Sequence, residues 1–323
     1  MVKIALKFSL AIGIIYYLIR QGKLDFSLAF KMLDHIPQVA AALAIIVSQC
    51  LVGSYRWKLL NEIKSECKLP FLKIVKLTWI GLFFNSILPG AVTGDLIKVV
   101  YAKDLAPNIT KTFLVTSVIM DRIIGLIGLL LLLGIFSIYG YSELVGLSPQ
   151  ISALIHFNFL LFLGVLAFLV TLFLPIKIQN IFLNLSSKLP IVGTKVTKTL
   201  EQVWLIGSNK KVVIICLALS LIAQVFNVFA FWLISNPFYL VPLKIQHAFT
   251  FMPIGFMAIA VPISPAGLGV GHAIFNSLFK LFGIGNGASL FNLYFLAILF
   301  INLFGIFPYL LGGKRHTLAE AKG

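Results

Sequence analysis

Charged residues are scarce in this sequence, and acidic residues are the scarcest. Asp, Glu, Lys and Arg together make up 11% of the 323 residues, whereas soluble domains carry about 25%. Apolar residues make up 60% of the chain, and the mean hydropathy is +1.03. These values exclude an ordinary soluble domain and indicate an integral membrane protein.

Cysteine and histidine are also few, and neither forms a ligand pattern. The spacing of the three cysteines (Cys50, Cys67 and Cys216) fits neither a disulfide framework nor a metal site. The five histidines include no HExxH pair or related motif. The sequence therefore indicates no metal and no cofactor. Because it also lacks a recognisable nucleophile–base pair, we predict that the protein is not an enzyme.

The net charge of +16 comes from short basic patches between apolar runs. Such patches are typical of cytoplasmic loops that lie against anionic lipid headgroups. An excess of Lys and Arg also suits nucleic-acid binding, but no aromatic and basic recognition module accompanies it here. We therefore predict that the partners are membrane lipids with anionic headgroups and that nucleic acid is not bound.

Long uncharged windows indicate where the chain crosses the membrane. A helix needs about 20 apolar residues to span the hydrocarbon core, whereas the strands of a barrel alternate in shorter segments. We therefore predict an all-α, polytopic membrane protein. The windows without Asp, Glu, Lys or Arg are residues 36–55, 123–142, 144–176, 212–243, 245–279 and 281–313.

The flanking charges give the predicted spans a direction. We interpret residues 4–20 as a retained first helix, because no small-residue cleavage site follows them. Residues 56–76 and 177–211 each carry six Lys or Arg residues and are predicted to be cytoplasmic. Residues 140–156 carry none and are predicted to be external. Both termini are then cytoplasmic, in a bacterial or archaeal cytoplasmic membrane.

Two segments must enter the membrane and return to the side from which they came. Residues 77–105 lie between two predicted cytoplasmic regions and are interrupted at Pro89, which cannot continue a helix. Residues 245–282 must leave and rejoin the outer side, and their uncharged run is cut at Pro262 and Pro265. We predict a re-entrant helical hairpin in each segment.

The predicted chain is one transmembrane domain, 1–323, with about six full spans and two hairpins that enter from opposite faces. This topology predicts an inverted repeat with a first half at 1–176 and a second half at 212–323. Between them, 177–211 is predicted to contain an amphipathic helix on the inner leaflet, with a plain loop as the alternative. Its helically spaced apolar residues are Ile178, Ile181, Phe182, Leu185 and Leu189.

Distinct motifs are spread over almost the whole chain, and the most distinctive lie at the two interruptions. The stretch 83–98 combines a Pro-Gly bend with polar side chains, and 260–275 repeats that combination. The motifs are Asn85 followed by Leu88-Pro89-Gly90 and Gly94-Asp95; Arg56-Trp57; Asp121-Arg122 followed by Gly125; and Pro262-Ile263-Ser264-Pro265 with Gly267-Leu268-Gly269.

With these motifs the chain resembles the flippase-like membrane family typified by the transmembrane part of bacterial lysylphosphatidylglycerol synthases. The resemblance implies a lipid translocase or a lipid-handling partner protein. It does not imply aminoacyl transfer, because the synthases perform that reaction with a soluble domain that this sequence does not contain. Two positions depart from the family pattern: Thr93 replaces a usual glycine, and Gly271-His272 replace a usual basic–acidic pair.

Ionisable residues within predicted membrane segments are the first candidates for a substrate site. A charge at the centre of a membrane helix costs about 2.5–3.5 kcal/mol, so Asp121 and Arg122 need partners or a polar cavity. Because adjacent helical residues point in different directions, each is expected to have its own partner. Asp95 suits a first helical turn. Lys98 is expected either to pair with Asp95 or to meet a lipid phosphate together with Arg122.

The two interruptions supply the remaining candidates. Asn85 and Ser264 are expected to bind either freed backbone groups or a headgroup. The glycines favour close packing or unwound backbone, and His272 favours a satisfied polar group over a proton carrier. The predicted substrate-binding residues are Arg56, Asn85, Pro89, Gly90, Asp95, Lys98, Asp121, Arg122, Ser264, Pro265, Gly267, Gly269 and His272.

From these observations we predict translocation of an anionic or polyisoprenoid-linked lipid between leaflets. The headgroup would occupy a polar cavity between the hairpins, while the acyl chains stay in the bilayer. The alternative is a scaffold or regulator that does not transport and that binds a lipid- or glycan-modifying enzyme. Association into a homo-oligomer is left open. Because the sequence has no Walker motif, it does not predict direct use of ATP.

Overall fold

The computed structural model describes residues 16, 20, 27–65, 68–87, 93–105, 108–187, 193–239, 241–260 and 267–311. Regular structure within these ranges is helical and includes no strand, so the predicted all-α class is confirmed. Two short 3-10 segments, Met32–His35 and Asn236–Phe238, adjoin longer helices. The helices are α1 (Ser27–Lys31), α2 (Ile36–Glu62), α3 (Phe71–Ile87), α4 (Thr93–Leu105), α5 (Lys111–Tyr139), α6 (Tyr141–Leu144), α7 (Pro149–Leu172), α8 (Ile176–Ser187), α9 (Gly193–Ser208), α10 (Lys210–Ser235), α11 (Ile245–Ala260), α12 (Val270–Leu281), α13 (Gly287–Leu303) and α14 (Ile306–Leu311).

Five helical segments are long enough and apolar enough to cross a bilayer, so the chain is a polytopic membrane protein. These segments correspond to five of the predicted spans. The other predicted span, 4–20, lies outside the described residues apart from Tyr16 and Arg20, which are helical. The five segments are Met32–Glu62, Lys111–Tyr139, Pro149–Leu172, Lys210–Phe238 and Gly287–Leu311.

Helix α2 is longer than predicted. It was expected to end near residue 55, with the following charges in a cytoplasmic segment, but it continues to Glu62. The charges remain helical because they have partners. Lys58 Nζ lies 2.7 Å from Glu62 Oε1 one turn along the helix, and Arg56 is paired with Asp121 of α5.

The predicted last span is interrupted at Gly305, between α13 and α14. A side chain at this position would collide with the backbone of Trp79 and with Cβ of Phe83, both on α3. Glycine therefore permits the chain to turn closely over α3. The short helix α14 then packs against the same helix.

The two predicted hairpin segments each contain a pair of short helices in contact, α3 with α4 and α11 with α12. At about 1.5 Å per residue, the 13 residues of α4 and the 12 of α12 are each about 20 Å long or less. A bilayer core is about 30 Å thick, so neither helix is long enough to cross it upright. The connecting residues 88–92 and 261–266 lie outside the described residues, and re-entry stays a prediction.

The largest interface among the described residues joins α10 to α2, and α10 also packs against α5, which places these three helices at the centre of the molecule. Around them the two halves are packed differently. In the second half, the ring of Phe231 on α10 contacts a group of buried rings on α11, α12 and α13. These rings are Phe256, Phe275, Phe279, Phe291 and Tyr294.

The described part of the predicted connector 177–211 contains two helices, α8 and α9, that pack together. The hydroxyl groups of Ser186 and Thr197 lie 2.8 Å apart and join the two helices. The apolar residues predicted to face the membrane are exposed on α8. Within the described part of the connector they are Ile178, Ile181, Phe182 and Leu185.

Candidate functional site

A polar cavity of about 350 Å³ lies where α2, α3, α4, α5 and α13 meet. Its volume lies within the range of about 300–1,000 Å³ that is usual for small-molecule sites. Apolar residues such as Ile46 and Ile298 line part of it. Its polar lining residues are Gln49, Thr78, Asn85, Asp95, Lys98, Asp121, Arg122 and Asn302.

Two ion pairs hold the helices around this cavity together. Arg122 Nε on α5 lies 2.6 Å from Asp95 Oδ2 on α4, and Arg56 Nε on α2 lies 2.7 Å from Asp121 Oδ1 on α5. The prediction that adjacent Asp121 and Arg122 have separate partners is confirmed. Asp95 also lies in the first turn of α4, where a negative charge stabilises the helix amino terminus.

Arg56 lies behind the cavity wall rather than among the residues that line it. Its side chain is nearly buried, and its Nη1 donates to Ser220 Oγ of α10 at 3.1 Å. Ser220 Oγ in turn donates to the carbonyl oxygen of Ile124 at 2.8 Å. Arg56 was predicted to bind substrate; the structure places it outside the cavity lining and in an ion pair with Asp121, and substrate binding stays a prediction.

Lys98 is the central cation of the site. It is 6% exposed, lines the cavity, and places its Nζ 3.7 Å from the centroid of the Trp57 ring. Such a cation–π contact is worth about 2 kcal/mol when desolvated. Within the described part of the chain, no carboxylate lies at ion-pair distance from this amine, because Asp95 and Asp121 bind the two arginines.

Trp57 is fixed by hydrogen bonds, and it therefore fixes the position of Lys98. The indole Nε1 donates to Ser117 Oγ at 3.2 Å, and Asn61 Nδ2 donates to the Trp57 carbonyl oxygen at 2.8 Å. Ser117 Oγ also lies 3.0 Å from Asn61 Oδ1 and closes the ring of contacts. All three side chains are buried. In the motif Arg56-Trp57, Arg56 thus pairs with Asp121, and Trp57 contacts the amine of Lys98.

Asn85 has the backbone role that was one of its two predicted alternatives. Its Oδ1 accepts a hydrogen bond from the Gly94 backbone N–H at 2.8 Å, across the gap between α3 and α4. A side chain at Gly94 would collide with the Gly81 carbonyl group, so both glycines permit this close approach. Asn85 also lines the cavity. Pro89 and Gly90 lie outside the described residues, and their predicted roles stay predictions.

Three polar lining residues were missed by the sequence reasoning: Gln49, Thr78 and Asn302. Thr78 Oγ1 is a buried hydroxyl with no hydrogen-bond partner in the described part of the chain. An unpaired buried hydroxyl on a residue that lines a cavity requires an explanation, such as a bound water or ligand. The available signal was the presence of uncharged polar residues in otherwise apolar windows, but such residues also stabilise helix packing in membranes.

The second predicted set of site residues has backbone and hydrogen-bonding partners within the fold where it is described, and its predicted binding of substrate stays a prediction. Gly267 and Gly269 have φ angles of 75° and 79°, which favour glycine, and Gly269 caps α12. His272 is fully buried; its Nδ1 accepts from the Gly269 backbone N–H, and its Nε2 lies 3.2 Å from Asn292 Oδ1. These residues do not line the polar cavity. Ser264 and Pro265 lie outside the described residues.

Comparison with known proteins agrees with this architecture. The family model described as lysylphosphatidylglycerol synthase TM region matches residues 4–313. The chain is also similar to a UPF0104 membrane protein of Pyrococcus horikoshii, with 22% identity over 134 residues that cover 41% of this chain and 40% of that protein. No solved structure was found to match. The chain belongs to the family of the lysylphosphatidylglycerol synthase transmembrane region.

Proposed function

We propose that the protein translocates an anionic lipid between membrane leaflets and that the polar cavity binds the headgroup. The observation that carries this proposal is Lys98, a buried cation in the cavity wall without a carboxylate at ion-pair distance in the described part of the chain. The site contains three basic side chains and two carboxylates, so one basic side chain, Lys98, is in excess of the two ion pairs. A phosphate group would neutralise its charge.

The cavity also offers neutral donors for a phosphate. The Thr78 hydroxyl lacks a partner in the described part of the chain, and the amide of Gln49 lines the same space. The side chain of Arg122 is 41% exposed, so the cavity is open beside an arginine. Hydrogen bonds to a charged group are worth about 1.5–3 kcal/mol each, and several are needed to offset the lost hydration of a headgroup.

The interrupted helix pairs support transport rather than a fixed scaffold. In membrane transporters, discontinuous helices commonly form the substrate site near the membrane midplane, and inverted repeats permit alternating access. Asp121 and Arg122 lie about 15 Å along α5 from its start at Lys111, which is consistent with that depth. We therefore keep the re-entrant hairpins, the inverted repeat and the cytoplasmic termini as parts of the proposal.

An exchange assay with a charge-neutralising variant tests the proposal. Protein in liposomes is supplied with acyl-labelled phosphatidylglycerol or phosphatidylcholine, and the label in the outer leaflet is quenched chemically. Wild-type protein is expected to exchange the anionic lipid faster. Lys98→Gln should slow that exchange by about tenfold or more, the factor that corresponds to about 1.4 kcal/mol.

The matched control is Lys280→Gln, which removes one positive charge from the exposed surface of α12. It should exchange lipid at the wild-type rate, because Lys280 does not line the cavity. Equal slowing by both variants would show a general effect of net charge. An absence of exchange above protein-free liposomes for both lipids would favour the scaffold alternative.

A further inference from the structure

We propose that an apolar groove beside the polar cavity holds an acyl chain of the same lipid. The groove has a volume of about 690 Å³ and lies between α2, α3, α13 and α14. This inference rests on the proposed function, because it identifies where the hydrocarbon part of the translocated lipid lies. The lining residues on which it depends are Val47, Val75, Trp79, Ile301, Phe304 and Phe307.

The groove and the cavity share three helices. On each shared helix, a residue that lines the cavity is adjacent in sequence to a residue that lines the groove. The three helices therefore separate the cavity from the groove. A polar space and an apolar space that share a wall match the two parts of an amphiphile. The paired residues are Ile46 and Val47 on α2, Thr78 and Trp79 on α3, and Asn302 and Ile301 on α13.

Two hydrogen bonds join α3 to α13 between the cavity and the groove, and we call this contact the seam. Trp79 Nε1 donates to the Ile301 carbonyl oxygen at 3.1 Å, and Asn302 Nδ2 donates to Ser86 Oγ at 2.9 Å. A lipid with its headgroup in the cavity and a chain in the groove must pass between these helices. The seam is therefore the lateral opening of the site, and Trp79 is the residue that closes it on the groove side.

A second apolar groove on the same surface provides an internal control. It has a volume of about 570 Å³ and lies between α2 and α13, where Val39 is one of its lining residues. The two grooves share Phe300, but the second contains no residue of α3 and therefore does not reach Trp79. Ordinary bilayer lipid has access to both grooves. A substrate chain that extends from the cavity should depend on the groove at the seam alone.

Identical substitutions on α2 test the assignment. Val47→Trp fills the groove at the seam, whereas Val39→Trp fills the second groove. In the liposome assay, Val47→Trp should slow exchange of acyl-labelled phosphatidylglycerol by about tenfold, and Val39→Trp should leave it within about twofold of wild type. If wild type exchanges lipid and the two variants do so equally, the groove assignment is overturned while translocation stands.

A binding measurement decides the question even where exchange is absent. Phosphatidylglycerol with brominated chains is added to the protein in detergent, and the quenching of tryptophan fluorescence is measured. The part of the quenching that is absent in Trp79→Phe is assigned to Trp79. Saturable quenching of Trp79 that is stronger than with brominated phosphatidylcholine, and that Lys98→Gln removes, supports the assignment. Quenching that is equal for the two lipids overturns it. An absence of exchange together with saturable quenching would contradict translocation only.

Discussion

The two interrupted helix pairs of this molecule have different interiors. The pair α3–α4 lines a cavity that contains charged residues, together with α2, α5 and α13. Asn85 of α3 accepts a hydrogen bond from the Gly94 backbone N–H of α4, where two glycines permit close approach. The pair α11–α12 packs against rings, and its one buried histidine is bound by Gly269 and Asn292. Similar interruptions in sequence thus support a candidate ligand site in one half and a packed aromatic core in the other.

This difference indicates a division of roles. A buried charge is stable only with partners, and the first half supplies them over three helices around an open space. The second half contains few groups that a phosphate would attract in its described part. Aromatic pairs there add about 0.5–1.5 kcal/mol each beyond the burial of their area. We therefore expect variants in the first half to alter lipid exchange, and also stability where an ion pair is broken, whereas variants in the second half should alter stability alone.

The largest expected effect comes from breaking the buried ion pair of the first half. Arg56→Ala leaves the carboxylate of Asp121, whose side chain is 16% exposed, without its partner, and the free energy of unfolding should fall by about 3 kcal/mol, the lower end of the range for a buried pair. The measurement is reversible unfolding in mixed detergent and denaturing micelles. The double variant Arg56→Met/Asp121→Leu removes both charges and should recover most of the loss. If the double variant is less stable than Arg56→Ala, the pair is not the source of the effect.

A smaller loss of stability, without a change in exchange, is expected in the second half. His272→Ala leaves the Gly269 N–H and the Asn292 amide unpaired and should lower the free energy of unfolding by about 1–3 kcal/mol. The rate of lipid exchange per folded molecule should equal that of wild type. His156→Ala is the control, because that side chain is exposed and bonds only to a carbonyl of its own helix. Loss of lipid exchange in folded His272→Ala would contradict the proposal that the second half contributes stability rather than exchange.

The smallest expected effect lies at a contact between the halves. Glu143 Oε1 on α6 lies 2.7 Å from Lys244 Nζ and 3.3 Å from His247 Nε2, near the start of α11. The hydrogen bond from Lys244 lowers the pKa of Glu143 below its usual value. The contact therefore stabilises the fold above the unfolded-state pKa of about 4.3, and this stabilisation is lost as the pH falls through the lower, folded-state value.

The corresponding measurement compares wild type with Glu143→Gln at several pH values. Wild type should have a slightly higher midpoint of unfolding near pH 7, and the difference should vanish below about pH 4. Because Glu143 and Lys244 are both exposed, solvent screening keeps the effect small. A difference that persists unchanged at low pH would show that the carboxylate charge does not join α6 to α11.

The charges of the site were the part of it that sequence reasoning identified best. Asp121 and Arg122 stand in a long apolar helix, and an ionisable residue there is an unusual and informative signal. The partner of Asp121 could not be identified from the sequence, because Arg56 is 65 positions away. Arg56 is in turn 164 positions from its second partner, Ser220. The pairing depends on how α2, α5 and α10 pack, which no local pattern specifies.

The errors of the sequence reasoning have physical causes. The charges after residue 55 were taken as the end of a helix, but their partners in the fold keep α2 helical to Glu62. Gln49, Thr78 and Asn302 were missed because a neutral polar residue in a membrane helix is equally typical of packing. The glycines of the second segment were expected to favour unwound backbone or close packing and were also predicted to bind substrate. Gly267 and Gly269 have the positive φ angles of unwound backbone, which is a local property of glycine, and substrate binding stays a prediction.

The central claim is that a headgroup passes through the polar cavity, and a pair of glycines tests it most directly. Gly53 on α2 lines the cavity, and Gly164 on α7 does not; a Cβ atom added at either position would meet no atom within 4 Å. Replacing a helical glycine by leucine favours the helix by up to about 1 kcal/mol, so neither variant should lose its fold. Gly53→Leu should stop exchange of phosphatidylglycerol in liposomes, and Gly164→Leu should exchange it as wild type does. Wild-type exchange by Gly53→Leu would contradict the account.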